Sequence, residues 1–272
     1  MTLPTYKKPK SGWKLLSTNS TKTMKGEKYG YTTYIMYLAP AKQNSKGIDL
    51  CPFRTEGCTK ACLYTSGMGI FNNVQKGRIN KANFYVENRQ EFLKRLFKEV
   101  GNKQKLHKKR NTKFCVRLNG TSDINFLKQK INGKNIFQTF PDVQFYDYTK
   151  NHYSILANDM PNYHITFSRH SKNEEIAFNL LDDGFNAAFV FQGEIPKYYK
   201  GYKVINGDES DLRFLDEKGV IVGLTYKKSK DKNVKNNPFV ISKEDVSKYS
   251  SNNPIPKVVE DFLKTINKKR VA

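Results

Sequence analysis

The chain has 272 residues, of which 38% are hydrophobic and 13% aromatic. That is enough apolar matter for a folded core and argues against wholesale disorder. No run approaches the ~18 apolar residues of a membrane-spanning helix, and four cysteines in a chain of this size exclude a disulfide scaffold. The formal net charge is +23, which draws a protein towards polyanions such as DNA or RNA. The 48 basic residues are mostly Lys, however, and only nine are Arg. An AT-rich coding sequence produces that bias without selection for binding, whereas base and phosphate recognition leans on Arg. Charge alone therefore leaves nucleic-acid contact open. The basic N-terminus "MTLPTYKKPKSGWKLL" lacks the apolar stretch of a secretory signal, so a cytoplasmic protein is expected.

Residues 1–30 are polar, Lys-rich and broken by Gly, Pro and Ser, and read as an extended arm. "YGYTTYIMYLAP" (29–40) is aromatic and β-branched and predicts the first strand. A loop with three cysteines follows. "VENRQEFLKRLFKEV" (86–100) places Phe92, Leu93, Leu96, Phe97 and Val100 on one helical face. "NKQKLHKKRNTK" (102–113) reads as a basic connector in which His107 is solvated. Six further strands are predicted: "FCVRLNG" (114–120), "VQFYDYT" (143–149), "YHITFS" (163–168), "NAAFVFQ" (186–192), "YKVING" (202–207) and "VIVGLTY" (220–226). A helix over 173–184 stops at Gly184, and "PIPKVVEDFLKTINKK" (254–269) predicts a terminal helix. Short strands separated by helical or loop segments predict an α/β fold, mainly parallel, and about seven strands suit a full or partial (β/α) barrel as well as an open sheet. The expected organisation is an arm at 1–30, one domain at 31–240 and a C-terminal helical extension at 241–272.

The spacing Cys51-x6-Cys58-x3-Cys62 is not that of structural zinc sites, which use tight pairs from two knuckles. Three thiols from one loop between a strand and a helix favour an iron–sulfur cluster, whose irons sit close enough for one excursion of chain to reach three corners. Zinc, or free thiols packed as small hydrophobes, stay open as alternatives. Strand alternation puts Cys115, Arg117 and Asn119 on one face and Phe114, Val116 and Leu118 on the other. Cys115 lies four residues before the strand end at Asn119, roughly 13 Å deeper at ~3.3 Å per residue, and is not expected to be a ligand. A cluster held by Cys51, Cys58 and Cys62 alone would leave one iron open.

A strand, a three-cysteine loop, a helix and successive β/α units together resemble the radical S-adenosylmethionine enzymes. That resemblance implies the full or partial barrel, and a [4Fe–4S] cluster whose open iron takes S-adenosylmethionine, although the usual spacing there is Cx3Cx2C. A nearer resemblance is to the phage "gene product 88" type of protein, over about residues 15–226. It is carried by "YLAP" (37–40), "CPFRTEGCTKACL" (51–63), "VRLNGTSD" (116–123), "FPDVQFYDYTK" (140–150), "YHITFSR" (163–169) and "INGDESDLRFLD" (205–216). It implies a phage or prophage origin and brings no activity with it.

At the strand ends, Asn119, Gly120, Ser122 and Asp123 of "RLNGTSD" are candidate cofactor contacts, set against an Asn-Gly turn followed by a helix cap. Asp147 and Ser168 end the next two strands and are further candidates, with Lys150 and Arg169 nearby. Arg117, inside a strand, needs a buried carboxylate such as Asp147, while Asp208, Asp211 and Arg213 read as a local acid–base turn. No GxxxxGK[ST], HExxH or GxSxG occurs. The expectation is an iron–sulfur protein acting on nucleic acid or a nucleotide. The alternative is a non-enzymatic nucleic-acid-binding phage effector stapled by a cluster or zinc.

Overall fold

The computed structural model describes residues 5–8, 13–18, 21–227 and 236–251. The predicted helix 254–269 and most of the basic run 227–237 lie outside them. The first half of the chain contains β1 (Leu16–Ser17), α1 (Thr21–Glu27), β2 (Tyr31–Met36), α2 (Glu56–Lys60), α3 (Asn72–Glu87) and α4 (Arg89–Arg110). Then come β3 (Lys113–Arg117), the small hairpin β4 (Lys130–Ile131) and β5 (Lys134–Asn135), α5 (Ile136–Thr139), β6 (Gln144–Thr149), α6 (His152–Leu156) and β7 (Tyr163–Ser168). The remainder is α7 (Glu174–Asp182), β8 (Ala187–Phe191), β9 (Tyr198–Tyr199), β10 (Tyr202–Asn206), β11 (Ile221–Thr225), β12 (Val240–Ile241), α8 (Lys243–Tyr249) and β13 (Ser250–Ser251).

The seven strands predicted from alternation all form, but the barrel does not. The sheet is open, in the order β1-β2-β3-β6-β7-β8-β11-β10-β9-β13, with β12 also on β8. Closure would require β2 to pair with the last parallel strand. Instead both edges are taken by antiparallel partners: Leu16 pairs with Met36 at one edge, and Tyr199 with Tyr202 at the other. The expectation of a full or partial barrel is therefore overturned.

Two further expectations are corrected. The segment 102–113 is not a connector, because α4 runs on to Arg110 and ends where Asn111 takes a left-handed conformation. His107 is buried, not solvated; its Nε2 meets the Tyr34 hydroxyl at 3.0 Å and its Nδ1 meets Thr112 Oγ1 at 2.7 Å. The helix over 72–87 escaped prediction because its buried residues, Lys81 to Val86, are consecutive and form no stripe.

The main core lies on the helix-covered face, where Phe114, Val116 and Leu118 meet Phe92, Leu93 and Leu96 of α4. The other face is covered by the connection between β10 and β11. The chain progresses steadily across the sheet to β10, then steps back to place β11 between β10 and β8. A right-handed crossover that reverses its direction of travel must run over the opposite face. Leu212 and Phe214 of this connection pack there on Cys115, Tyr146 and Tyr31. It also brings Asp211 to Arg117, with Nη1 3.2 Å from Oδ2, while the Tyr146 hydroxyl donates to the same oxygen at 2.8 Å. The predicted partner of Arg117, Asp147, is not the one used, and "NGDESDLRFLD" is more than a local turn.

Both members of the Arg117–Asp211 pair are buried, so removing one leaves an uncompensated charge at a cost of about 3–5 kcal/mol. Asp211→Asn is expected to lose stability on that scale in denaturant titration, whereas Lys203→Ala, which breaks the exposed Lys203–Glu217 pair, should leave the midpoint unchanged.

Candidate functional site at the C-terminal strand ends

The loops leaving the C-terminal ends of β2, β3, β6 and β7 gather at one edge of the sheet. There β7 and β8 part company. Phe167 and Ser168 pair only with Ala187 and Ala188, and β12 takes over at Val190 and Phe191. The segment before β12 thus enters between the two strand ends. Arg169 fastens it, with Nη1 donating to the carbonyl of Pro238 at 3.1 Å and Nε donating to Glu174 at 2.7 Å. Diverging strand ends are where open α/β sheets leave a crevice.

A cavity of about 860 Å³ lies at that crevice. Its walls come from the cysteine loop (Phe53, Arg54, Glu56, Lys60), from the ends of β6 and β7 (Lys150, His152, His170, Lys172) and from Asn237. Among the described residues, four cations face it and one carboxylate, Glu56, which pairs with Lys60 at 2.7 Å. Lys150 Nζ donates to the neutral hydroxyl of Ser168 at 2.7 Å and lies 5.2 Å from the Phe239 ring centre. Burial, then the charges of Lys150, Arg169 and Lys172, push His170 down to about 4, so it is neutral near pH 7.

The cysteine loop is built by local capping. Thr55 caps α2, accepting from the Cys58 amide at 3.2 Å, and Asp49 accepts from the Cys51 amide at 2.9 Å and pairs with Arg54. Gly57 sits hard against the segment before β12; a Cβ there would stand 2.5 Å from Asn237 Oδ1, whose amide donates to the Gly57 carbonyl. The Cys51 thiol points towards the Thr121 carbonyl at 3.8 Å, and burial pushes it up to about 12, with Asp123, Cys62 and Cys58 adding to the rise. Cys62 is raised by burial and by Cys58, and lowered by the Tyr64 amide, Lys150 and Arg78. The thiols therefore sense one another. Even so, among the described residues no group of three or more His, Cys, Asp or Glu stands in position to hold a metal ion. Beside Cys62, the Arg78 guanidinium lies between the rings of Tyr37 (4.7 Å) and Tyr64 (5.8 Å). Arg78 Nη1 and the Tyr64 hydroxyl are buried without a hydrogen-bond partner among the described residues. Cys115 lies apart, fully buried on the opposite face and 3.4 Å from Thr33 Oγ1.

The other predicted site residues form a strut between the ends of β3 and β6. Asp147 accepts from the Asn119 amide (2.7 Å), the Asn119 side chain (3.3 Å) and the Tyr163 hydroxyl (3.2 Å). Asn119 in turn accepts from Ser122 Oγ and the Ile124 amide, each at 2.9 Å. Asp123 accepts from Thr149 Oγ1 at 2.6 Å and from the Lys150 amide at 2.9 Å, which sets the direction of Lys150. Gly120 is wedged on β2, where a Cβ would stand 2.7 Å from the Met36 carbonyl. Ser168 alone of this group reaches the cavity lining, through Lys150. Phe53, Arg54 and Arg78 were missed as site residues. The first two sat between the cysteines, where the "FR" pair was itself a signal; Arg78 lies in the unpredicted helix.

Burial raises the Asp147 carboxyl to about 7. A raised carboxyl binds its proton more tightly in the folded state, so its contribution is greatest in acid and is lost as pH rises from 3.8 through about 7. The stability of the protein relative to its Asp147→Asn variant is thus expected to fall between pH 4 and 7, measured by urea titration. A difference independent of pH contradicts this assignment.

The family model for Gene product 88 matches residues 13–238. No curated protein and no solved structure matched the chain. The family match lends no support to the resemblance to radical S-adenosylmethionine enzymes, and no helix among the described residues is long and apolar enough to cross a membrane. The chain belongs to the phage gene product 88 family.

Proposed function

We propose that this phage-family protein binds nucleic acid in the cationic cavity at its C-terminal strand ends. One observation carries the reading: Arg54, Lys60, Lys150 and Lys172 face the recess, and although Arg54 pairs with Asp49 and Lys60 with Glu56, no carboxylate among the described residues pairs with Lys150 or Lys172 there. A net charge of +23 spread over a surface says little, but cations converging on a concavity set up a field there that attracts phosphate. The neutral hydroxyl beneath Lys150 leaves its charge available to a ligand. Binding is expected to weaken steeply with salt. Lys150→Ala and Lys172→Ala should each lower affinity for any sequence and reduce the salt slope by about one, as read by fluorescence anisotropy. A slope unchanged in both variants contradicts the reading.

A second reading concerns the thiols. Cys51, Cys58 and Cys62 would hold a metal centre, a [4Fe–4S] cluster being the form their spacing favours, which would staple the cavity wall to which they belong. The donor type fits, and Arg78 Nη1 and the Tyr64 hydroxyl, which have no hydrogen-bond partner among the described residues, are donors of the kind an anionic thiolate centre needs. As placed, the side chains do not converge, so holding a metal requires them to turn towards a common point. The expectation of S-adenosylmethionine rests on the resemblance to radical enzymes, which the family match does not support. Protein purified without oxygen is expected to carry iron with labile sulfide, lost in Cys58→Ala and kept in Cys115→Ala. Zinc in place of iron keeps a thiolate staple but overturns the cluster, and metal-free protein overturns this second reading altogether.

A further inference from the structure

We infer that the ligand of the cavity is single-stranded nucleic acid, held with its bases against exposed aromatic side chains. This rests on the cationic-cavity reading and goes beyond it in the class of ligand. A duplex is a convex cylinder, and proteins that read it insert a helix or ribbon into its ~12 Å major groove. Here the cations line a recess instead of a protruding element. A cavity of about 860 Å³ matches the ~300–1,000 Å³ pockets that enclose small ligands. It admits a strand whose bases are unstacked and excludes paired ones.

The aromatic groups are placed for this. Phe53 forms part of the wall and is 39% exposed among the described residues, an unfavourable position for a phenyl ring. His152 also lines the wall, and its ring centre lies 3.9 Å from that of Tyr153, which is 65% exposed. Phe53 and the His152–Tyr153 pair thus come from two different strand-end loops, and Lys150, in the second of them, would meet the backbone phosphates. Cations tracking a backbone with aromatic faces for its bases are the two elements of sequence-tolerant single-strand binding.

The test compares an oligothymidylate, an oligouridylate and a hairpin duplex carrying the same number of phosphates, titrated by anisotropy against the full chain and against Phe53→Ala and Tyr153→Ala. Both side chains are exposed, so the variants are expected to fold. The inference predicts that a single strand binds more tightly than the duplex, and that each variant loses about fivefold or more for the strand with the salt slope unchanged. Preference between the two single strands identifies DNA or RNA as the source. Equal affinity for strand and duplex, or variants that bind like the parent, overturns the single-strand inference while the cationic cavity stands. No salt-dependent binding to any of the three overturns both.

Discussion

A charge inside the sheet governs how this molecule is put together. Arg117 ends β3 and projects into the face opposite the main core, 6% exposed, and Asp211 reaches it from the connection between β10 and β11. The Tyr148 ring lies 4.5 Å from the guanidinium, and Tyr146 donates to the same carboxylate. An unpaired guanidinium here would be too costly for the fold to tolerate. The pair therefore fixes where the β10–β11 connection runs, and with it the reversed order of the last two parallel strands. The face that would have been the interior of a closed barrel is filled by this connection, and the sheet edges are covered by short antiparallel strands.

The candidate site follows from the same open arrangement. Strands that need not close a ring can diverge, and β7 and β8 do so after two paired residues, which lets the segment before β12 in beside them. That segment meets the cysteine loop at Gly57 and Asn237, and the cavity opens between them and the ends of β6 and β7. Asp123, half-buried, and Asp147, buried, serve the site indirectly: one holds the Lys150 amide and the other holds the Asn119 turn that contains Asp123. Lys150 is thus borne on a short, well-tied strand end. That is the rigidity a recognition surface needs if binding is not to cost ordering entropy.

Much of the fold was legible locally. Phe114, Val116 and Leu118 alternating with Cys115 and Arg117 declared both the strand and its two faces, because a side-chain period of two depends only on neighbours. Closure was not legible, since it depends on whether Leu16–Ser17 and Tyr198–Tyr199 occupy the edges, and nothing in a strand's own pattern says what lies beside it. The partner of Arg117 failed for the same reason: Asp147 was near in the predicted order, Asp211 only in space. In the site, the cysteine loop and Lys150 stood out by residue type. Phe53 and Arg54 were overshadowed by the cysteines around them, and Asn237 joins the loop from 180 residues away.

The central claim is the location of the ligand, and amide hydrogen exchange with and without a short single-stranded oligonucleotide tests it most directly. Protection is predicted in residues 52–60, 150–153 and 170–173, with the face carrying residues 207–216 unchanged. Protection on that opposite face, or confined to α4 and its basic last turn, would contradict the account.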